Sequence, residues 1–167
     1  MLWKQESFLV LREFPENLTG ERRWKRSTIR LMPNRAIEIH DSELESVVVS
    51  EGYVVLDFSS AYIHQSDGRP AVDAGTGWTQ HVVIRVRGHI VTGSLTELPC
   101  DLSSGHLTLN GEQSDNLIPI PLSSDAEVEL HLTSKFAESV QVRGDRITLE
   151  LLGEPTYIEE FSGADWA

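Results

Sequence analysis

The sequence predicts an all-β fold with little or no helix, either an antiparallel β-sandwich of the jelly-roll kind or a partly closed β-barrel. Three observations predict it: eight or nine short segments alternate apolar and polar residues at period two, turn dipeptides separate several of them, and no stretch carries an amphipathic helical repeat. Alternation of this kind leaves one face of a strand buried and the other wet, which is the habit of antiparallel sheets.

The clearest strand is Trp78 to Arg87, where Trp78, Val82, Ile84 and Val86 point one way and Thr79, His81, Arg85 and Arg87 the other. Ala126 to Leu132 and Ile147 to Leu151 repeat the pattern. Fainter alternation marks Ala36 to His40, Leu44 to Val49, Tyr53 to Phe58, His89 to Thr96, Leu107 to Leu109, Leu117 to Leu122 and Ser139 to Arg143, with Phe8 to Leu11 as a further candidate. Glu51-Gly52, Asn110-Gly111 and Gly144-Asp145 each read as a hairpin turn. Pro119 and Pro121 lack the donor that a central strand needs, so Leu117 to Leu122 should lie on a sheet edge or leave the ladder there.

A chain of 167 residues, 40% hydrophobic, is long enough to bury one core without disulfides. Its charge is uneven. Met1 to Leu31 holds seven Lys or Arg against four Glu, a balance of +3, and the rest holds 7 basic and 22 acidic residues, or −15, within an overall −12. The expected organisation is therefore a basic extension or extra strands over 1–31, followed by a single acidic all-β domain over 32–167. Three readings of the first segment stay open: a basic arm for nucleic acid or an acidic neighbouring subunit, added strands at Phe8 to Leu11 and Thr28 to Leu31, or an extension ahead of a natural start at Met32. The acidic body repels phosphate, which argues against nucleic acid as its partner.

No apolar run reaches the roughly 20 residues that span a bilayer, so a soluble protein with no membrane partner is expected. The lone Cys100 and the lack of a signal-peptide pattern point to the cytoplasm. Cys100 itself reads as a small buried apolar residue.

Tyr62 to Gln80 reads as a long connection between two strands, and long connections commonly bind something. The candidate ligand-binding residues are Tyr62, His64, Asp67, Arg69, Asp73, Trp78 and His81, which offer an imidazole, carboxylates, a guanidinium clamp and an aromatic platform. Turn chemistry at Asp67-Gly68 accounts for much of the same composition. None of the six histidines has a ligand-pair spacing, and His40 and Asp41, being adjacent, should face opposite sides of a strand. The expectation is no metal and no cofactor. No Gly-x-Ser-x-Gly elbow is present, and Gly75-Thr76-Gly77 precedes no helix that could hold phosphate, so no catalytic residue is assigned. Arg143-Gly144-Asp145 and Asn17-Leu18-Thr19 match an adhesion tripeptide and a glycosylation acceptor by coincidence.

The resulting expectation is a non-catalytic binding module whose partner is a basic protein or a small polar ligand. Two alternatives stand beside it: a carbohydrate-binding sandwich using Tyr62 or Trp78, and a metal-dependent enzyme with its site on residues 62–81.

Overall fold

A computed structural model of the chain describes residues 34–162. The expectations for residues 1–33, Phe8 to Leu11 and Thr28 to Leu31 among them, lie outside the described residues.

Ten strands follow one another: β1 (Asn34–Leu44), β2 (Ser46–Ser50), β3 (Tyr53–Ser66), β4 (Gly75–Gly93), β5 (Cys100–Leu109), β6 (Glu112–Asp115), β7 (Leu117–Ile120), β8 (Ser123–Ser124), β9 (Val128–Ser134) and β10 (Ser139–Phe161). The described residues contain no helix. Six strands close an antiparallel barrel in the order β1-β3-β4-β10-β9-β5 and back to β1, and β2, β6, β7 and β8 flank it. Of the two architectures expected, the barrel is the one formed.

Two turns are those the dipeptides indicate. Glu51 and Gly52 have φ of 51° and 80°, and Asn110 and Gly111 have 48° and 82°, so each hairpin turns on two residues in the left-handed region, as a type I′ turn requires. Among the described residues β7 pairs with β1 alone and forms a sheet edge, where Pro119 is tolerated.

Other boundaries differ from the expectation. Gly144-Asp145 is not a hairpin. β10 runs straight through it and stays paired with β4, with a register shift between Gly144 and Arg146. That extra residue changes the inward parity from Val140 and Val142 to Ile147 and Leu149, which makes one strand look like two. Trp78 to Arg87 and His89 to Thr96 likewise belong largely to the single strand β4. The connection expected over 62–80 shrinks to residues 67–74, because β3 continues to Ser66 and β4 begins at Gly75.

The barrel interior is filled by side chains. Val54, Leu56, Phe58 and Ile63 of β3 meet Val82, Ile84 and Val86 of β4, Leu130 and Leu132 of β9, and Ile37 and Ile39 of β1, all 2% exposed or less. Barrels of about eight strands are just wide enough to hold one small ligand, so six strands leave a lumen that aliphatic groups occupy completely. Cys100 is buried in this core, and burial raises its thiol pKa.

On the surface, Arg143 and Gln141 hold Glu129 below its ordinary 4.5, Thr96 does the same for Glu138, and Arg87 holds Asp145 below 3.8. The fold thus favours their ionised forms. Their stabilisation is complete above the ordinary carboxylate range and drains away as pH falls through the depressed folded values. A urea midpoint that drops between about pH 5 and 2, with a shallower slope in Arg143→Gln, is the expected result. A midpoint independent of pH in that window would contradict it.

Candidate functional site

The polar centre of the molecule lies where β1 leaves β3. Glu38 pairs with Tyr62 and Glu43 with Ser60, so residues 39–42 bulge opposite Ala61 alone. Ser42 stitches the bulge: its hydroxyl donates to the Glu38 carbonyl at 2.7 Å and accepts the Tyr62 amide at 3.0 Å. The Ile39 amide meanwhile donates to the Asn116 carbonyl at 2.8 Å. A second irregularity, between Phe58 and Ala61 of β3, moves the inward set from Phe58 to Ala61 and Ile63. Tyr62 and His64 are thereby turned to the outer wall, on the face that carries Glu38.

His64 is fully buried there. Its Nδ1 accepts the Ala71 amide and lies 3.0 Å from Glu38 Oε1, and the Phe161 ring stands edge-on at 4.0 Å. Burial lowers the His64 pKa, against which Asp73 pulls upward, and burial raises that of Glu38, which neighbouring His40 moderates. Burial thus disfavours the charged form of each group. Nδ1 of His40 and Nε2 of His64, the ring nitrogens not in contact with the Glu38 carboxyl, are buried without a hydrogen-bond partner among the described residues.

On the other side of Glu38, His40 Nε2 lies 3.8 Å from its Oε2 and 3.0 Å from Asp41 Oδ2. The expectation that His40 and Asp41 face apart is corrected here, because the bulge abolishes the alternation that would separate them. Next to this cluster the Tyr62 hydroxyl donates to Glu159 Oε1 at 2.9 Å, and burial followed by this carboxylate raises the phenol pKa. A Cβ on Gly77 would collide with the Tyr62 hydroxyl, and one on Gly75 with Gln65 O and His64 Nε2, so both positions are kept bare by lack of space.

The seven candidate residues do not form one site. Tyr62 and His64 belong to the cluster just described. Asp67, Arg69 and Asp73 lie on the 67–74 connection, where the Arg69 amide and guanidinium bind the Asp73 carboxylate at 2.6 and 3.5 Å. Trp78 pairs with Ile63 and so faces the core side, edge-on to Tyr157 at 5.3 Å and donating to Thr76 at 2.8 Å. Tyr62 and Trp78 therefore offer no shared stacking platform. His81 is exposed and paired with Asp57 at 2.7 Å. Glu38, His40, Asp41, Glu159 and Phe161 were not among the candidates. The signal for the first three is a parity slip: Ile37 and Ile39 fall on odd positions and Leu44 on an even one, which demands a bulge between them.

A second feature is an unprotected sheet edge. β2 pairs with β3 alone among the described residues, and Val48 and Val49 are 50% and 58% exposed. Other open edges are blunted. β6 carries Glu112 and Asp115, β7 carries Pro119, and β8 is two residues long. The free half of β10 carries Pro155, Glu159 and Glu160, and Val91 forms a bulge in the overhang of β4. These are the usual devices against unwanted strand pairing, and Ser46-Val47-Val48-Val49-Ser50 has none of them.

Together these features define a small closed β-barrel with a packed lumen, an acid–imidazole cluster on its outer wall and one open edge. No known protein family, curated protein or solved structure matches the chain.

Proposed function

We propose that this protein is a non-catalytic interaction module that binds an extended, basic segment of a protein partner along β2. The observation that carries the reading is the contrast among sheet edges, since among the described residues β2 alone combines exposed valines with no proline, charge or bulge. Strand addition satisfies the free backbone groups of such an edge, and side-chain pockets then set specificity. Glu45 and Glu51 bracket the strand, and Arg85 and Arg87, which lie opposite Val55 and Tyr53 of β3, are already paired with Glu150 and Asp145. A cationic segment with alternate apolar residues suits this edge, whereas a second copy of the acidic body would be repelled. The packed lumen supports the same reading, because it leaves binding to the outer surface.

The probe is a synthetic Lys-Val-Lys-Val-Lys-Val-Lys peptide titrated into the labelled protein and followed by backbone amide shifts. Shifts confined to Val47 to Ser50 and their β3 neighbours are expected, with affinity falling steeply between low and physiological salt. Val48→Lys combined with Val49→Lys should abolish binding while moving the urea midpoint by no more than about 0.5 kcal/mol, as for ordinary surface changes. Binding that survives the double substitution, or ignores salt, would overturn the reading.

A further inference from the structure

Independently of partner binding, we infer that Glu38, His40 and Asp41 form a site for a divalent transition-metal ion of the zinc or manganese class. Their ligand atoms all lie within 4.8 Å of one another. Ligands bound at about 2.0–2.2 Å to one ion stand roughly 3.0–3.5 Å apart. The two separations here, 3.0 Å from His40 Nε2 to Asp41 Oδ2 and 3.8 Å to Glu38 Oε2, bracket that range. Small side-chain rotations bring all three onto one ion.

The state of Glu38 is a second observation pointing the same way. Its side chain is only 7% exposed, and the His40 Nε2–Oε2 separation of 3.8 Å is beyond hydrogen-bond reach. Burial makes this carboxyl costly to ionise without a counter-charge, and a cation between Oε2, Nε2 and Oδ2 would supply one. Oε1 is held by His64, which fixes the carboxyl plane in the way outer partners orient metal ligands. The exposure of His40 and Asp41, 34% and 49% of their side chains, leaves an entry path and room for waters in the open coordination positions. One imidazole with two carboxylates favours zinc or manganese over magnesium, which keeps to oxygen ligands. The ion binds the ionised Glu38 carboxylate and neutral His40 through Nε2, with the one imidazole proton on Nδ1, so any proton on Glu38 passes to solvent. His40 Nδ1 lacks an outer acceptor, so the affinity should be micromolar, below that of a fully supported site.

The test is calorimetric titration of the full chain with zinc chloride, and with magnesium chloride for comparison. One zinc ion per chain is expected, with affinity at least 10-fold weaker in His40→Ala and in Asp41→Asn. His81→Ala, which removes the imidazole beside Asp57, should leave binding unchanged. Asp41→Asn preserves shape at a half-exposed position, so an unaltered urea midpoint in that variant separates ligand loss from misfolding. Failure to saturate below about 1 mM zinc, tighter binding of magnesium, or equal weakening by His81→Ala would each overturn the inference.

Discussion

Phe58→Ala is expected to remove about 3–5 kcal/mol of stability, the range for truncating a buried phenylalanine. Phe58 heads the largest fully buried side chains and lies opposite Val82, immediately before the irregularity that redirects β3. In a barrel this narrow the surrounding strands are hydrogen-bonded into a closed ring, so they cannot collapse into the void, and the cavity adds to the lost transfer energy. A loss of this size is a large share of the roughly 5–15 kcal/mol that holds a typical domain together. Guanidinium unfolding should show a much lower midpoint with an unchanged slope. A cost below about 1.5 kcal/mol would show that the ring contracts around the gap, contrary to the rigid wall described above.

Gly144→Ala should cost about 3 kcal/mol or more, at the upper end of overpacking effects. A Cβ there would lie 2.2 Å from the Arg87 carbonyl oxygen and 2.6 Å from Val86 Cγ1, and across the ladder a Cβ on Gly88 would lie 1.9 Å from the Arg143 carbonyl. Gly88 and Gly144 face each other in the β4–β10 ladder, so the obstacle is main chain on both sides and cannot swing aside. Gly111→Ala provides the contrast: nothing stands within 4 Å of its Cβ, and only the φ of +82° penalises it, so a loss of about 1 kcal/mol is expected. Equal effects of the two substitutions would mean that the β4–β10 ladder yields to the added methyl group and that lack of space does not make Gly144 necessary.

These two positions also show what could be read in the sequence. Phe58 sits in a run whose alternation is regular, and the rhythm of Trp78 to Arg87 places Val82, Ile84 and Val86 inside correctly. Asn110-Gly111 and Glu51-Gly52 turn where their residue types require. Gly144-Asp145 misleads because a bulge and a two-residue turn draw on the same small and polar residues, and only pairing with a distant strand distinguishes them. The cluster on β1 was hidden by the same ambiguity, since the rule that sets His40 and Asp41 apart holds only while the strand stays regular. His64 was visible as a candidate, but its burial beneath Ala71 and Phe161 depends on the C-terminal end of β10 and has no local trace. The contrast between β2 and the blunted edges likewise becomes apparent only when strand neighbours are known.

The bareness of that edge has a colloidal consequence. Two such molecules meeting valine to valine would join edge to edge as a closed pair, and nothing in the local backbone forbids it. The surplus of acid over base across residues 32–167, 22 against 7, opposes that encounter, because mutual repulsion acts before contact is made. On the proposed function, the same negative charge would disfavour a like copy at the exposed strip and draw a cationic strand to it.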